Sequence, residues 1–269
     1  MTTTPTVTGA PAPRAQLLTD SWIMTVRSVR LTLRSPTALG TATLLPLLLL
    51  MLMTASFGAL IDDNGSYRGY VDESLPLFAV MGIAFSALAT GTAAHTDLQT
   101  GFDARLRTLP MARSAPLTGR ILGDAARNLA SLLIVTLVGF VMGFRFDTGP
   151  LSVLGYFLLP LLFGSALAWL VVALAVRARS AESVGASMNA VFLLLSFLST
   201  GFVPLRDLPG WAQPLAEVNP VSCVVETMRG FAHSGPVAEP LLESLAWILG
   251  LTLVFASLAV RGYRRRGPR

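Results

Sequence analysis

The sequence predicts an all-α fold, a polytopic membrane protein with six transmembrane helices, and three observations carry that prediction. Six apolar stretches fill most of the 269 residues, 53% of which are hydrophobic and 13% charged. A hydrocarbon core of about 30 Å takes roughly 20 helical residues at 1.5 Å rise each. The centres of the stretches carry no Asp, Glu, Lys, Arg or His. Almost every arginine falls on one side of them.

Residues 1–13, rich in Thr, Pro and Ala, read as a disordered tail. Across 14–35, Leu18, Trp22, Val26, Val29 and Leu33 fall within about 80° of arc at 100° per residue, with Arg27, Arg30 and Arg34 on a neighbouring face. That pattern predicts an interfacial amphipathic helix, a helix packed on a soluble partner being the alternative. It ends at Ser35-Pro36, because proline disfavours helical geometry in the residue before it. The transmembrane body, 36–260, then holds helices at about 38–61, 75–94, 117–144, 151–176, 183–203 and 244–260. The third is extended backwards to 117 because its apolar part is short, which places Asp124 and Arg127 near the cytoplasmic headgroups.

Between the second and third helices, at about 97–109, Leu98, Phe102, Leu106 and Leu109 make an apolar stripe while Asp103 and Arg107 point away. Pro110 stops this short helix. Held under two membrane helices it is shaped to transmit force, and an ordinary solvated loop is the alternative. After the fifth helix, 204–232 is too polar to span and too apolar for a free loop. It reads as short external or re-entrant helices, with Trp211 as an interfacial anchor or as packing. Residues 261–269 form a basic tail.

Arginine is costly to carry across a bilayer, by about 2.5–3.5 kcal/mol at its centre, so its distribution sets orientation. Sixteen of the twenty arginines lie before the first helix, in the second-to-third and fourth-to-fifth connections, or in the C-terminal tail. Arg68, Arg145, Arg206 and Arg229 lie opposite, among ten acids. The two sides carry +11 and −6, which together make the net +5. Both termini are therefore expected in the cytoplasm. The segregated charge faces anionic lipids and an acidic cytoplasmic partner rather than nucleic acid.

All twenty basic residues are arginine, and a P-loop needs a lysine on the terminal phosphates, so no P-loop ATPase site is expected on this chain. Helix centres free of ionisable groups argue against an ion-coupled transporter. His95 and His233, the two histidines, are expected on opposite faces and cannot share a metal; no catalytic residues are expected. Ser196, Ser199 and Thr200 read as packing or back-bonding hydroxyls. Cys223 is the single cysteine, which excludes a disulfide within the chain and leaves either an intersubunit bridge or a buried thiol.

Three blocks in order then resemble one family. They are Leu33-Arg34-Ser35-Pro36; Gly101-Phe102-Asp103-Ala104-Arg105-Leu106-Arg107-Thr108-Leu109-Pro110-Met111-Ala112-Arg113 with Gly119-Arg120; and Ser199-Thr200-Gly201-Phe202-Val203-Pro204, Leu208-Pro209-Gly210-Trp211, Val218-Asn219-Pro220, Glu226 and Arg229. They resemble ABC type-2 permeases, in particular the daunorubicin-resistance group of drug exporters. Many relatives have lysine where this chain has Arg120, which keeps the charge.

The resemblance implies that 14–35 is a connecting helix, and that 97–109, with Leu98, Phe102, Asp103, Arg105, Leu106, Arg107 and Leu109, is a coupling helix seated in a separate ATP-binding subunit. ATP and Mg would then be bound by that partner and no cofactor by this chain. It also implies a second permease subunit, a bacterial cell membrane, and an external gate at Pro204, Trp211, Asn219, Pro220, Glu226 and Arg229. Phe85, Met188, Asn189 and Phe192 suit a pathway for an amphipathic drug or lipid, although packing accounts for such residues too. An amide in a lipid-spanning helix needs a partner, so Asn189 meets either another helix or cargo. A lipid or glycan exporter and a nucleotide-independent channel or scaffold are the alternatives. Gly139 and Gly143 form a GxxxG pattern with no assigned partner.

Overall fold

The computed structural model describes residues 36–61, 67–99, 115–175 and 180–265, with Val26 and Ala178 as isolated positions. Among the described residues there are eight α-helices and no strand. They are α1 (Pro36–Ile61), α2 (Tyr67–Gln99), α3 (Ala115–Val141), α4 (Pro150–Ala175), α5 (Ala181–Phe197), α6 (Gln213–Val218), α7 (Pro220–His233) and α8 (Ala238–Arg265), with a 3-10 turn at Leu205–Asp207. The expected connecting helix at 14–35 lies outside the described residues apart from Val26. So do Phe102, Asp103, Arg105, Leu106, Arg107 and Leu109, and the side chain of Leu98.

Among the described residues, four helices are long and apolar enough to cross a membrane by length and composition: Tyr67–Leu88, Leu122–Val141, Pro150–Ala175 and Ala238–Gly262. The remaining two expected spans correspond to shorter apolar stretches, Thr43–Phe57 in α1 and Glu182–Phe197 in α5.

Several helix ends differ from the sequence expectation, each for a local reason. α2 begins at Tyr67 rather than 75, since its first turns tolerate charge when Arg68 faces Asp72 one turn on, 3.6 Å apart. α3 stops at Val141, three residues short of 144. Gly143 adopts φ +108, the Gly143 amide donates to the Phe140 carbonyl (3.2 Å) and the Phe144 amide to the Gly139 carbonyl (2.9 Å). That double bond pattern around a left-handed glycine closes a helix C-terminus. α8 outruns 244–260 at both ends, where Glu239 and Arg261 can reach water. α5 ends at Phe197, not 203, and its continuation forms part of the site described below.

α2 is the central helix, with 78% of its apolar window buried, whereas α8 is peripheral with 6%. α1, α3, α4, α5 and α7 all pack on α2, while α8 lies on α4 and α7. The core joins Leu75, Leu77 and Phe78 of α2 to Leu132 and Val135 of α3, Phe163 and Val171 of α4, and Val224 and Met228 of α7. Lipid tails are as apolar as these side chains, so helix association depends on close packing, which small residues permit. Gly139 of α3 supplies one such contact: a Cβ there would collide with the Leu75 side chain. Its GxxxG mate, Gly143, lies beyond the helix end, so the pattern serves contact within the chain and a helix stop.

Replacing Gly139 with Val should therefore destabilise the folded chain by about 1–3 kcal/mol through overpacking. Gly250→Val, where nothing lies within 4 Å of the new Cβ, should leave thermal unfolding in detergent unchanged. Equal midpoints for the two variants would reject this packing account.

Candidate functional site

Beyond Phe197 the backbone leaves helical geometry while still buried, and each freed polar group must find a partner. The chain answers with hydroxyls and one amide. Ser199 Oγ donates to the Ser196 carbonyl (2.6 Å) and accepts from the Gly201 amide (3.2 Å). The Thr200 amide donates to Ser222 Oγ on α7 (3.1 Å). Gly201 backs onto α2, where an added Cβ would lie 2.8 Å from Leu77 Cβ. The sequence pointed to these hydroxyls as back-bonding groups but extended α5 through them.

Asn219 joins the two helices on either side of this break. Its Nδ2 donates to the carbonyls of Leu195 (2.7 Å) and Leu198 (3.1 Å), which end α5, and its Oδ1 accepts from the Val221 amide (2.9 Å), which starts α7. One buried side chain thus caps a C-terminus and an N-terminus together, satisfying orphan groups of both. Pro220 follows as the first residue of α7, where a missing N–H costs nothing.

Arg229, two turns along α7, extends this junction to α2. Its Nη1 donates to the Glu226 carboxylate (2.9 Å), Nη2 to the Gly201 carbonyl (3.3 Å) and Nε to the Glu73 carbonyl (2.8 Å), with the Glu73 carboxylate 3.2 Å away. The far end of α7 is held as firmly. His233 Nδ1 lies 3.1 Å from Asp147 and Nε2 3.9 Å from Asp72, and the Asp147 amide donates to the Ala232 carbonyl (2.9 Å). Phe144 meets the His233 ring edge-on at 5.5 Å and belongs to an aromatic group with Phe140, Phe146 and Tyr156. Sequence reasoning missed Asp72, Glu73, Asp147 and His233 as members of this assembly. Their one signal was the excess of acids on the expected outer side.

The other expected gate residues lie at the edge of the junction. Pro204 is half-buried and leads into the Leu205–Asp207 turn. Trp211 is 69% exposed, so the reading of its ring as internal packing does not hold. α8 is tied to this region by Trp247 Nε1, which donates to the Val218 carbonyl (3.1 Å).

Deeper in the bundle, Phe192 of α5 is buried, and Phe85 of α2 and Met188 pack against the same core. Asn189 is half-buried, and its Oδ1 is buried with no hydrogen-bond partner among the described residues. An unmade bond at a buried amide costs about 1–3 kcal/mol, so this oxygen is a candidate acceptor for something outside the single chain. Asp124 and Arg127 form an ion pair in the first turns of the Leu122–Val141 span, with side chains 8% and 12% exposed. Among the described residues no group of three or more His, Cys, Asp and Glu could hold a metal ion.

Cys223 is buried and free, its Sγ 3.4 Å from the Glu243 carboxylate. Burial, aided by Glu243, pushes the thiol up to about 12. Since the thiolate is the reactive form, about one molecule in ten thousand carries it at pH 8. Maleimide labelling of the folded protein should therefore be slow at that pH and become fast on denaturation. Fast labelling of the native protein would contradict the buried setting.

Asn219→Ser keeps the acceptor at the start of α7 and loses the donors to α5, which should cost on the order of 2 kcal/mol. Asn219→Asp adds repulsion between a carboxylate and the two carbonyls and should cost more. Unfolding midpoints that rank Asp at or above Ser would reject the double-cap role.

The match to known proteins covers both the bundle and this junction. A model of the ABC-2 type transporter family matches residues 19–231. The chain is 34% identical over 231 residues to the daunorubicin resistance ABC transporter permease protein DrrB1 of Streptomyces coeruleorubidus, covering 86% of this chain and 81% of that one. It is 36% identical over 233 residues to the probable doxorubicin resistance ABC transporter permease protein DrrC of Mycobacterium tuberculosis, covering 83% and 80%. The putative transport permease ycf38 of Porphyra purpurea is 27% identical over 204 residues, 73% of this chain and 68% of its own. With its apolar helices and this span of similarity, the chain is a multi-pass membrane permease that belongs to the ABC-2 type transporter family.

Proposed function

We propose that this permease is the membrane subunit of an ATP-driven exporter that moves an amphipathic, drug-like or lipid-like molecule outward across a bacterial cell membrane. One observation carries the reading: a transporter-family match over 19–231 falls on a chain with no lysine for a P-loop. ATP and Mg are held by a separate cytoplasmic subunit, which engages the stripe of Leu98, Phe102, Leu106 and Leu109 beside Asp103, Arg105 and Arg107. The chain spans six times, with α1 and α5 as the shorter spans and both termini on the arginine-rich side. A second permease subunit completes the pathway.

Support for the cargo class comes from two directions. The relatives named for daunorubicin and doxorubicin resistance match over four fifths of their length. Met188 is half-buried next to Asn189 on α5, whose amide acceptor is open, and an apolar side chain beside a polar group suits a molecule with one apolar face and a polar group. The junction of Asn219, Pro220, Glu226 and Arg229, with Pro204 and Trp211 at its edge, sits on the outer side and serves as the gate support.

Replacing Phe102 and Leu106 with Ala should abolish export while leaving membrane insertion intact. Unchanged transport in that double variant would reject the stripe's role. Reconstituted with its ATP-binding subunit, the complex should hydrolyse ATP faster when offered doxorubicin. A complex that neither hydrolyses ATP nor moves any amphipathic compound would reject the exporter reading.

A further inference from the structure

Arg127 lies on α3 about 18 Å past its first residue, at 1.5 Å per residue, and reaches across to α2. Its Nε donates to Ser86 Oγ (2.8 Å) and its Nη2 to the Ser86 carbonyl (3.0 Å). The same Nη2 pairs with the Asp124 carboxylate one turn earlier. Ser86 is fully buried, and the Arg127 and Asp124 side chains are 12% and 8% exposed. One turn further along α3, Ser131 Oγ shares a hydrogen bond with Thr43 of α1 (3.0 Å). Polar bonds thus join three helices around Arg127 and Ser131.

Stability alone does not call for such an arrangement. Replacing a buried ion pair by apolar side chains of similar volume is often neutral or stabilising, and the best-attested use of buried polar groups is to fix register. Leucine-lined helices can slide past each other at little cost, whereas a guanidinium fork held by a hydroxyl, a carbonyl and a carboxylate accepts one alignment. The two helices so aligned are the pair that brackets residues 100–114: α2 runs into that segment from Gln99 and α3 leaves it at Ala115.

We infer that Arg127 is a positioning residue for energy coupling. By locking α2 and α3 in one register through Ser86, it makes the two helices that flank 100–114 in the chain move as one body, so that force reaching either is carried into the bundle interior. The inference rests on the exporter reading, in which the ATP-binding subunit engages that segment. Lysine cannot substitute, because a single ammonium cannot reproduce the fork between Ser86 and Asp124.

The test uses the complete permease with its ATP-binding subunit in proteoliposomes, measuring doxorubicin transport and ATP hydrolysis on the same preparation. Arg127→Lys, and the neutral pair Asp124→Asn with Arg127→Gln, should assemble and keep basal hydrolysis. Doxorubicin moved per ATP should fall about tenfold in both, within the range by which residues between two sites alter their coupling. Ser86→Ala, which removes Oγ and keeps the carbonyl, should give a smaller drop. An unchanged ratio in Arg127→Lys and in the neutral pair would overturn the inference, and so would a loss that only follows the amount of folded complex. Wild-type complex without ATP-dependent transport would reject the exporter reading itself, a result separable from a coupled wild type whose Arg127 variants stay coupled.

Discussion

A bilayer offers no hydrogen-bond partners, so every backbone N–H and C=O inside it must be satisfied by the protein. That constraint orders the whole molecule. It accounts for long helices as spanning elements, and for the partners that appear wherever a helix stops. α3 closes on a left-handed Gly143 with paired backbone bonds just past its last turn. α5 stops while buried, and there the freed groups are taken up by Ser199, by Ser222 of α7 and above all by Asn219. Without Asn219, the carbonyls of Leu195 and Leu198 and the amide of Val221 would lose their partners together.

The same physics separates the two ends of the bundle. At the end expected to face outward the polar contacts are partly wet: Arg229 with Glu73 and Glu226, His233 with Asp147 and Asp72. Such pairs individually contribute little to stability, a median of about 0–1 kcal/mol where exposed. Their value here lies in number and placement, since they fasten the C-terminal half of α7 to α2 and to the α3–α4 turn. Towards the other end, Arg127, Asp124 and Ser86 make dry, directional contacts. In the proposed exporter the first set steadies the exit, and the second carries force inward from the ATP-binding partner.

Much of the architecture was legible in the chain. Apolar runs of spanning length, proline at the boundary of the first helix, and the amphipathic stretch after the fifth all correspond to elements near their expected places. The misplaced ends share one cause. Hydropathy cannot separate a buried turn from a buried helix when both are built from Ser, Thr, Gly and Phe, so 198–203 was read as part of α5. Nor does it show which partner a charged residue meets across the bundle, and the bond from Arg127 to Ser86 was not legible in the chain. Asn219 and Arg229 stood out through family likeness, whereas Glu73, Asp147 and His233 did not, because their partners are distant in sequence.

What the sequence determined by itself was the solvent: composition demands a bilayer, the absence of lysine removes a P-loop from the chain, and the arginine distribution sets the expected orientation. These follow from local composition and its order along the chain, which need no three-dimensional information. Tertiary structure alone decided which polar groups meet. Only folding brings Arg229 to Glu73, 156 positions away, and makes Arg127 a link between two helices, because such pairings depend on helix rotation and depth that no single segment encodes.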